Sequence, residues 1–77
     1  MTQQELNDKL FEAVENDDLD QVKELISNGA DVNAKEENGF TPLYYAKEKL
    51  KTKNLSDEEK EEIQSLIDYL ISVGAEE

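Results

Sequence analysis

The chain has 77 residues, a length that allows one small domain, and its 20 acidic and 8 basic residues give a formal net charge of −12. A chain of this length buries only about 60% of the surface that its unfolded form exposes, so we expect a thin core. The charge argues against direct binding to nucleic acid or to anionic membranes, because both attract basic surfaces. It favours a partner protein with a basic surface, or it serves only to keep a small protein in solution.

The sequence contains no cysteine and no histidine. Without cysteine there is neither disulfide nor thiol chemistry, which suits a reducing compartment. The segment 1–6 has no basic residue and no apolar run, so it does not resemble a signal peptide. No run of about 20 apolar residues is present that would span a membrane. These features together predict a cytoplasmic protein.

Cap residues and hydrophobic spacing predict a pair of helices in the first part of the chain. Thr2 with Glu5 forms a capping-box pattern that starts a helix near residues 3–15. Asp18 caps a second helix near residues 19–28, which Gly29 ends. The apolar residues recur at helical spacing: Leu6, Leu10, Ala13, Val14, Leu19, Val22, Leu25 and Ile26.

The second part of the chain predicts another pair of helices. Thr41 caps a helix near residues 42–52, and Pro42 fits its first turn, where a missing N–H costs nothing. Ser56 with Glu59 forms a second capping box, which starts a helix near residues 57–73. The apolar stripe of this helix consists of Ile63, Leu66, Ile67, Leu70 and Ile71. We expect this stripe to face the core, with a short coiled-coil face as the alternative.

Between the two pairs lie the motifs Gly29-Ala30-Asp31-Val32-Asn33-Ala34 and Gly39-x-Thr41-Pro42-Leu43. At this separation, and with a period near 33 residues, they resemble the ankyrin repeat family. The resemblance implies an all-α fold of helix-turn-helix repeats, with two helix pairs joined by a protruding, hairpin-like turn at residues 30–40. Asn38-Gly39 suits the tight turn, which needs a positive φ.

The resemblance predicts one ankyrin-repeat domain over residues 1–77. Repeat one covers about 5–37 and repeat two about 38–77, with an insertion near 50–62. They resemble an amino-terminal and a carboxy-terminal capping repeat joined directly, and their polar outer faces favour a monomer. The chain departs from the family pattern at Tyr44, where the family usually has a histidine that ties neighbouring turns together.

No catalytic constellation is visible, because the serines have no histidine to activate them and there is no cysteine nucleophile. We therefore predict that the chain is not an enzyme and that it uses no cofactor. The segment from Asp31 fails the calcium-loop pattern, since Lys35 stands where a ligand is needed and Glu36 where the glycine is required. We expect no metal site.

Ankyrin repeats bind through the tips of their protruding turns and the adjoining first helix of each pair. By position, this resemblance implies six protein-binding residues: Lys35, Glu37, Asn38, Phe40, Tyr44 and Lys47. Phe40 and Tyr44 are notable because aromatic side chains dominate binding hot spots. An equally good interpretation is that both rings complete a thin core.

Two classes of function follow from these features. The leading hypothesis is a protein–protein interaction module, an adaptor or inhibitor of one partner protein. The alternative is an acidic decoy that mimics nucleic acid and blocks a basic groove, and acidic residues clustered on one face would support it. A minimal repeat protein without a specific partner is a third possibility.

Overall fold

The computed structural model describes residues 2–52 and 54–76. In those residues the backbone forms four helices and no strand: α1 (Gln3–Glu15), α2 (Leu19–Ser27), α3 (Pro42–Leu50) and α4 (Asp57–Ser72). The predicted all-α fold is confirmed, and each predicted helix boundary is met to within two residues. Among the described residues, no helix has both the length and the apolar character needed to cross a membrane.

The helix starts are fixed by the side chains that the sequence placed there. Thr2 and Ser56 each form a complete capping box, with Glu5 and Glu59 respectively. Asp18 accepts a hydrogen bond from the backbone N–H of Gln21 at the start of α2. Each of these caps satisfies a backbone donor that the first turn of a helix leaves unpaired.

Helix α1 packs against α2 and helix α3 packs against α4, and the two pairs stack through the contacts of α1 with α3 and of α2 with α4. The centre of the core is formed by side chains that are at most 2% exposed: Leu10, Val14, Val22, Leu43, Ile63, Leu66 and Leu70. The last helix therefore faces the core, as expected. The prediction that the stripe faces the core is wrong for Ile71, which lies on the outer side of α4 with half of its surface exposed.

The predicted insertion at 50–62 covers the last residue of α3, the connection 51–56 and the first turns of α4. Lys53 lies outside the described residues. Leu50 and Leu55 pack against the core from either side of this connection, and Ile63 is buried just beyond it. The added length thus contributes apolar contacts to a core that two short repeats would leave thin.

The segment 31–40, here called the protruding turn, is non-helical as predicted. The backbone N–H of Gly39 donates to the carbonyl of Glu36 at 2.8 Å, and the N–H of Glu36 donates to the carbonyl of Phe40 at 3.1 Å. Gly39 has a φ of 84°, which glycine adopts at little cost. Asn38 does not share this conformation, so of the predicted Asn38-Gly39 pair only Gly39 uses a positive φ.

Candidate protein-binding surface

A cleft of about 870 Å³ lies between α1 and the protruding turn. Helix α1 forms one wall and the turn forms the other. The lining residues are Gln4, Asn7, Asp8 and Phe11 from the helix, and Asp31, Ala34, Lys35, Glu36, Glu37 and Asn38 from the turn. Residues 4, 7, 8 and 11 share one side of the helix because side chains three or four positions apart are neighbours on a helix surface.

Amide side chains of α1 hold the base of the protruding turn. The Oδ1 atom of Asn7 accepts a hydrogen bond from the backbone N–H of Asp31 at 2.9 Å. The Nε2 atom of Gln3 donates to the carbonyl of Gly29 at 3.0 Å and to Oδ1 of Asn7 at 2.9 Å. Because the same side chains bond to each other and to the turn, they fix the spacing between the two walls of the cleft.

The charges that line the cleft are strongly unequal. Four carboxylates, those of Asp8, Asp31, Glu36 and Glu37, face a single ammonium group, that of Lys35. The cleft therefore carries a net negative charge, and so does the whole chain, whose formal net charge is −12.

Asn38 organises the tip of the protruding turn. Its Oδ1 atom accepts from the backbone N–H of Phe40 at 3.0 Å, and its Nδ2 atom donates to the hydroxyl of Tyr45 at 3.1 Å. The bond from Asn38 lowers the pKa of the Tyr45 hydroxyl, but Glu36, desolvation and the charge of Glu15 together raise this pKa above its ordinary value. The Tyr45 hydroxyl is consequently neutral at physiological pH and links α3 to the tip.

Four aromatic rings form a continuous row beside the cleft. The edge of Tyr45 meets Phe11 with 5.6 Å between ring centroids, and Phe40 with 5.5 Å. Phe40 in turn stacks on Tyr44, with 4.2 Å between centroids and an interplanar angle of 4°. Offset and edge-on pairs of this kind stabilise an arrangement by about 0.5–1.5 kcal/mol each beyond simple burial.

The six predicted binding residues do not form one surface. Lys35, Glu37 and Asn38 line the cleft. Tyr44 and Lys47 line a separate depression of about 240 Å³, together with Glu48 and Lys51. Phe40 connects the two regions by its ring contacts and is 37% exposed.

The structure does not support the interpretation of Phe40 and Tyr44 as core residues. Phe40 is exposed and Tyr44 is half-buried, and neither ring belongs to the buried core. Their mutual stacking covers one face of each ring and leaves the outer parts at the surface. Both side chains are therefore accessible to a partner.

The sequence prediction omitted the helical wall of the cleft and the ring of Tyr45. The helical wall consists of Gln4, Asn7, Asp8 and Phe11. This wall could have been predicted from the sequence, because the spacing of the four residues aligns three polar side chains with one aromatic ring along a single face of α1. Within residues 2–52 and 54–76, no group of three or more acidic side chains is arranged to hold a metal ion.

Known proteins resemble part of this chain. Residues 10–47 match the family model described as ankyrin repeats in many copies, and this segment contains the last six residues of α1, all of α2, the protruding turn and two thirds of α3. Protein VAPYRIN-LIKE from Medicago truncatula is 40% identical over 48 residues, which are 62% of this chain and 10% of that protein. The chain thus spans about a tenth of the length of that curated relative. The matched segment and the stacked helix pairs show that residues 10–47 of this chain are ankyrin repeat sequence.

Proposed function

We propose that the chain acts by occupancy, as an adaptor or inhibitor of one partner protein, and that its cleft binds a lysine- or arginine-bearing segment of that partner. The observation that carries this proposal is the ratio of four carboxylates to one lysine in the cleft between α1 and the protruding turn. Opposite charge raises the rate of encounter and selects against acidic partners.

The walls of the cleft suit a long cationic side chain. Phe11 supplies an apolar surface on which the methylene stem of a lysine or arginine can lie, while Asp8 and Glu37 on opposite walls meet the charged end. The carboxamide of Gln4 lies beside Asp8, to which it donates a hydrogen bond at 2.8 Å. Lys35 and Asn38 then form the outer margin, so three of the six predicted binding residues, these two and Glu37, belong to this cleft.

A role in binding rather than catalysis is consistent with the family, since ankyrin repeats are a non-catalytic interaction fold that typically binds other proteins. Occupancy alone is sufficient for an adaptor or an inhibitor, because either one needs only a surface that excludes or recruits another molecule. Family membership describes the mode of action and does not identify the partner.

The distribution of acidic residues does not favour the acidic decoy as a second function. Exposed acidic residues occur on all four described helices and on the protruding turn, for example Glu12, Glu24, Glu37, Glu48 and Glu61. A decoy of a nucleic-acid backbone requires the charge to be concentrated along one face. The acidic residues of this chain make the cleft negative, but they are spread over the surface and do not form such a face.

The test is a selection of random displayed peptides on the immobilised full chain, followed by titration of the selected peptides. We expect enrichment of lysine and arginine. The double variant Asp8→Asn/Glu37→Gln should bind the selected peptides at least tenfold more weakly. The matched control, Glu58→Gln/Glu61→Gln, removes the same charge from the exposed start of α4 and should change the affinity less than twofold.

Two outcomes would contradict the proposal. One is a selection without enrichment of basic residues. The other is an equal loss of affinity in the two double variants, which would mean that the peptides respond to the net charge and not to the cleft. Titration at two salt concentrations also separates the two explanations. Salt screens the long-range attraction of the net charge more than it screens ion pairs formed inside the cleft.

A further inference from the structure

The chain contains two asparagine–glycine pairs, Asn28-Gly29 and Asn38-Gly39. In such a pair the backbone nitrogen of the glycine can attack the side-chain carbonyl carbon of the asparagine, because glycine has no side chain to hinder the approach. The attack closes a five-membered succinimide ring. The two pairs lie in different surroundings, so the structure allows their reactivity to be compared within one molecule.

The first pair is held on both sides of Gly29. The N–H of Gly29 donates to the carbonyl of Ile26 at 3.0 Å, and its own carbonyl accepts from Nε2 of Gln3 at 3.0 Å. Ala30, which follows the pair directly, is buried. Ring closure at Asn28 therefore requires the end of α2 and the base of the protruding turn to open together.

The second pair lies at the exposed tip of the protruding turn. Within the described part of the chain, Gly39 makes one backbone hydrogen bond, from its N–H to the carbonyl of Glu36 at 2.8 Å. A side-chain carbon placed on Gly39 would meet no atom within 4 Å, whereas one placed on Gly29 would lie 3.9 Å from Cδ1 of Leu6. The nitrogen of Gly39 therefore has open space around it and has to lose only one bond.

The side-chain carbonyl of Asn38 is also prepared for attack. Its Oδ1 atom accepts a hydrogen bond from the backbone N–H of Phe40 at 3.0 Å. When the carbonyl carbon is attacked, negative charge develops on this oxygen, and a donor that is already in place stabilises that charge. The side chain of Asn28 accepts no hydrogen bond from the described residues, so it lacks this assistance.

We propose that Asn38 is a site of spontaneous deamidation, which adds one negative charge to the cleft. The bond that forms joins the nitrogen of Gly39 to Cγ of Asn38, and the amide proton of Gly39 passes to the solvent. The bond that breaks joins Cγ to Nδ2, which takes up a proton and leaves as ammonia. Water then opens the ring at Cγ to give an aspartyl residue, or at the backbone carbonyl carbon to give an isoaspartyl residue.

The tip accommodates an aspartate at position 38. A carboxylate oxygen accepts from the N–H of Phe40 as the amide oxygen does, and the charge strengthens this bond. The hydroxyl of Tyr45, which lies 3.1 Å from Nδ2 of Asn38, can rotate and donate to the second carboxylate oxygen. The aspartyl product therefore keeps both contacts that organise the tip.

The consequence for binding rests on the proposed function of the cleft. Asn38 lines the cleft together with four carboxylates and the ammonium group of Lys35. Both products of ring opening carry a new carboxylate, so the reaction raises the negative charge of the cleft and leaves its positive charge unchanged. Deamidation consequently strengthens the attraction of a basic segment to the cleft.

The test of the modification uses the full chain in mildly alkaline buffer, which removes the amide proton more readily. Cleavage after lysine places the two pairs in separate peptides, 24–35 and 36–47, and fragment masses locate the modified residue. We expect position 38 to react about tenfold or more faster than position 28 in the native chain. In urea the two rates should be equal, because the surroundings of the pairs are lost.

Equal rates in the native chain, or a faster reaction at position 28, would overturn the proposal. A difference that persists unchanged in urea would also overturn it, because the cause would then be the local sequence and not the tip. The variant Asn38→Gln should remove the mass change from peptide 36–47 and leave the rate at position 28 as it is in the parent.

The consequence for binding is measured with a tetra-arginine peptide as the probe. Asn38→Asp should bind it about threefold more tightly than the parent does. The matched control, Asn28→Asp, adds the same charge at the end of α2, outside the cleft, and should leave the affinity unchanged. Equal gains in the two variants would overturn the link to the cleft. A probe that binds none of the three chains would refute the proposed function, while the mass measurement alone decides whether Asn38 is modified.

Discussion

The two helix pairs follow one plan but distribute their length in opposite ways. In the first pair the first helix is the longer one, with 13 residues in α1 and 9 in α2. In the second pair the second helix is the longer one, with 9 residues in α3 and 16 in α4. Each added stretch contributes one buried side chain, Leu6 in α1 and Ile63 in α4. A protein of two helix pairs can therefore enlarge its core by lengthening one helix of each pair.

The pairs also differ in how the turn after their second helix, α2 or α4, is held. After α2, the turn is held by two side chains of α1, with Gln3 bonding to Gly29 and Asn7 bonding to Asp31. After α4, Asn33 alone makes both bonds, because it donates to the carbonyl of Gly74 at 3.0 Å and accepts from the N–H of Glu76 at 2.7 Å. Asn33 belongs to the protruding turn, which thus fastens the second pair to the first.

The largest expected effect comes from the core that the two pairs share. Leu66 is fully buried, so Leu66→Ala should lower the free energy of unfolding by about 2–5 kcal/mol. Urea titration followed by circular dichroism measures this change. Ile71→Ala on the same helix is the control and should cost about 0.5 kcal/mol or less, since half of that side chain is already in water. Equal costs would show that α4 is not docked as described.

The next effect tests whether the two lengthened helices make comparable contributions. Leu6→Ala and Ile63→Ala each remove a buried side chain and should each cost about 2 kcal/mol or more. Ile63 is 1% exposed and Leu6 is 8% exposed, so the larger loss is expected for Ile63→Ala. A neutral result for Ile63→Ala, with Val73→Ala as the exposed control, would mean that the added turns of α4 contribute no core.

A smaller effect is expected where a lysine of the second pair closes the end of α1. The Nζ atom of Lys49 lies 2.8 Å from Oδ1 of Asp17 and donates to the carbonyls of Val14 and Glu15. A cation at this position also interacts favourably with the carboxyl end of the helix dipole. Lys49→Met keeps most of the apolar stem and should destabilise the chain by about 1–2 kcal/mol.

The matched control for this prediction is Lys51→Met. Lys51 pairs with Glu48 three residues earlier, and both side chains are well exposed, so the pair should contribute little to stability. The bond from Lys51 lowers the pKa of the Glu48 carboxyl. The stability from this pair should therefore be present at neutral pH and be lost as the pH falls through that lowered pKa. A larger cost for Lys51→Met than for Lys49→Met would contradict the role given to Lys49.

The sequence predicted the helices well because their boundaries depend on local chemistry. Thr2, Asp18, Thr41 and Ser56 cap helices through bonds that reach only three residues along the chain. Of the residues that line the cleft, the sequence predicted only some of those on the protruding turn. The other wall of the cleft comes from α1, and the bond that sets the two walls together joins Asn7 to Asp31, which are 24 residues apart. Periodicity gives the face of a helix but not what that face meets.

The same limit explains why the six predicted binding residues divide into two surfaces. Position in a repeat motif assigned Asn38 and Tyr44 to one binding surface, because family motifs are read along the chain. In the structure, Asn38 turns toward Tyr45 and the cleft, whereas Tyr44 stacks on Phe40 and lines the separate depression. Neighbouring helical residues point about 100° apart, so adjacent side chains such as Tyr44 and Tyr45 can serve different surfaces.

The smallest expected effect distinguishes the two ways of holding the turns. Asn33→Ala removes both bonds to the segment after α4 and should cost about 1 kcal/mol, while Asn7→Ala removes the acceptor for Asp31 and should cost a similar amount. Global stability therefore cannot separate the two variants, but hydrogen exchange at single amides can. Asn33→Ala should accelerate exchange at the Glu76 amide and leave the Asp31 amide unchanged, and Asn7→Ala should do the reverse. Each variant is thus the control for the other. Acceleration at both amides in either variant would mean that the two turns open together, so that the protruding turn couples the helix pairs more tightly than these separate bonds imply.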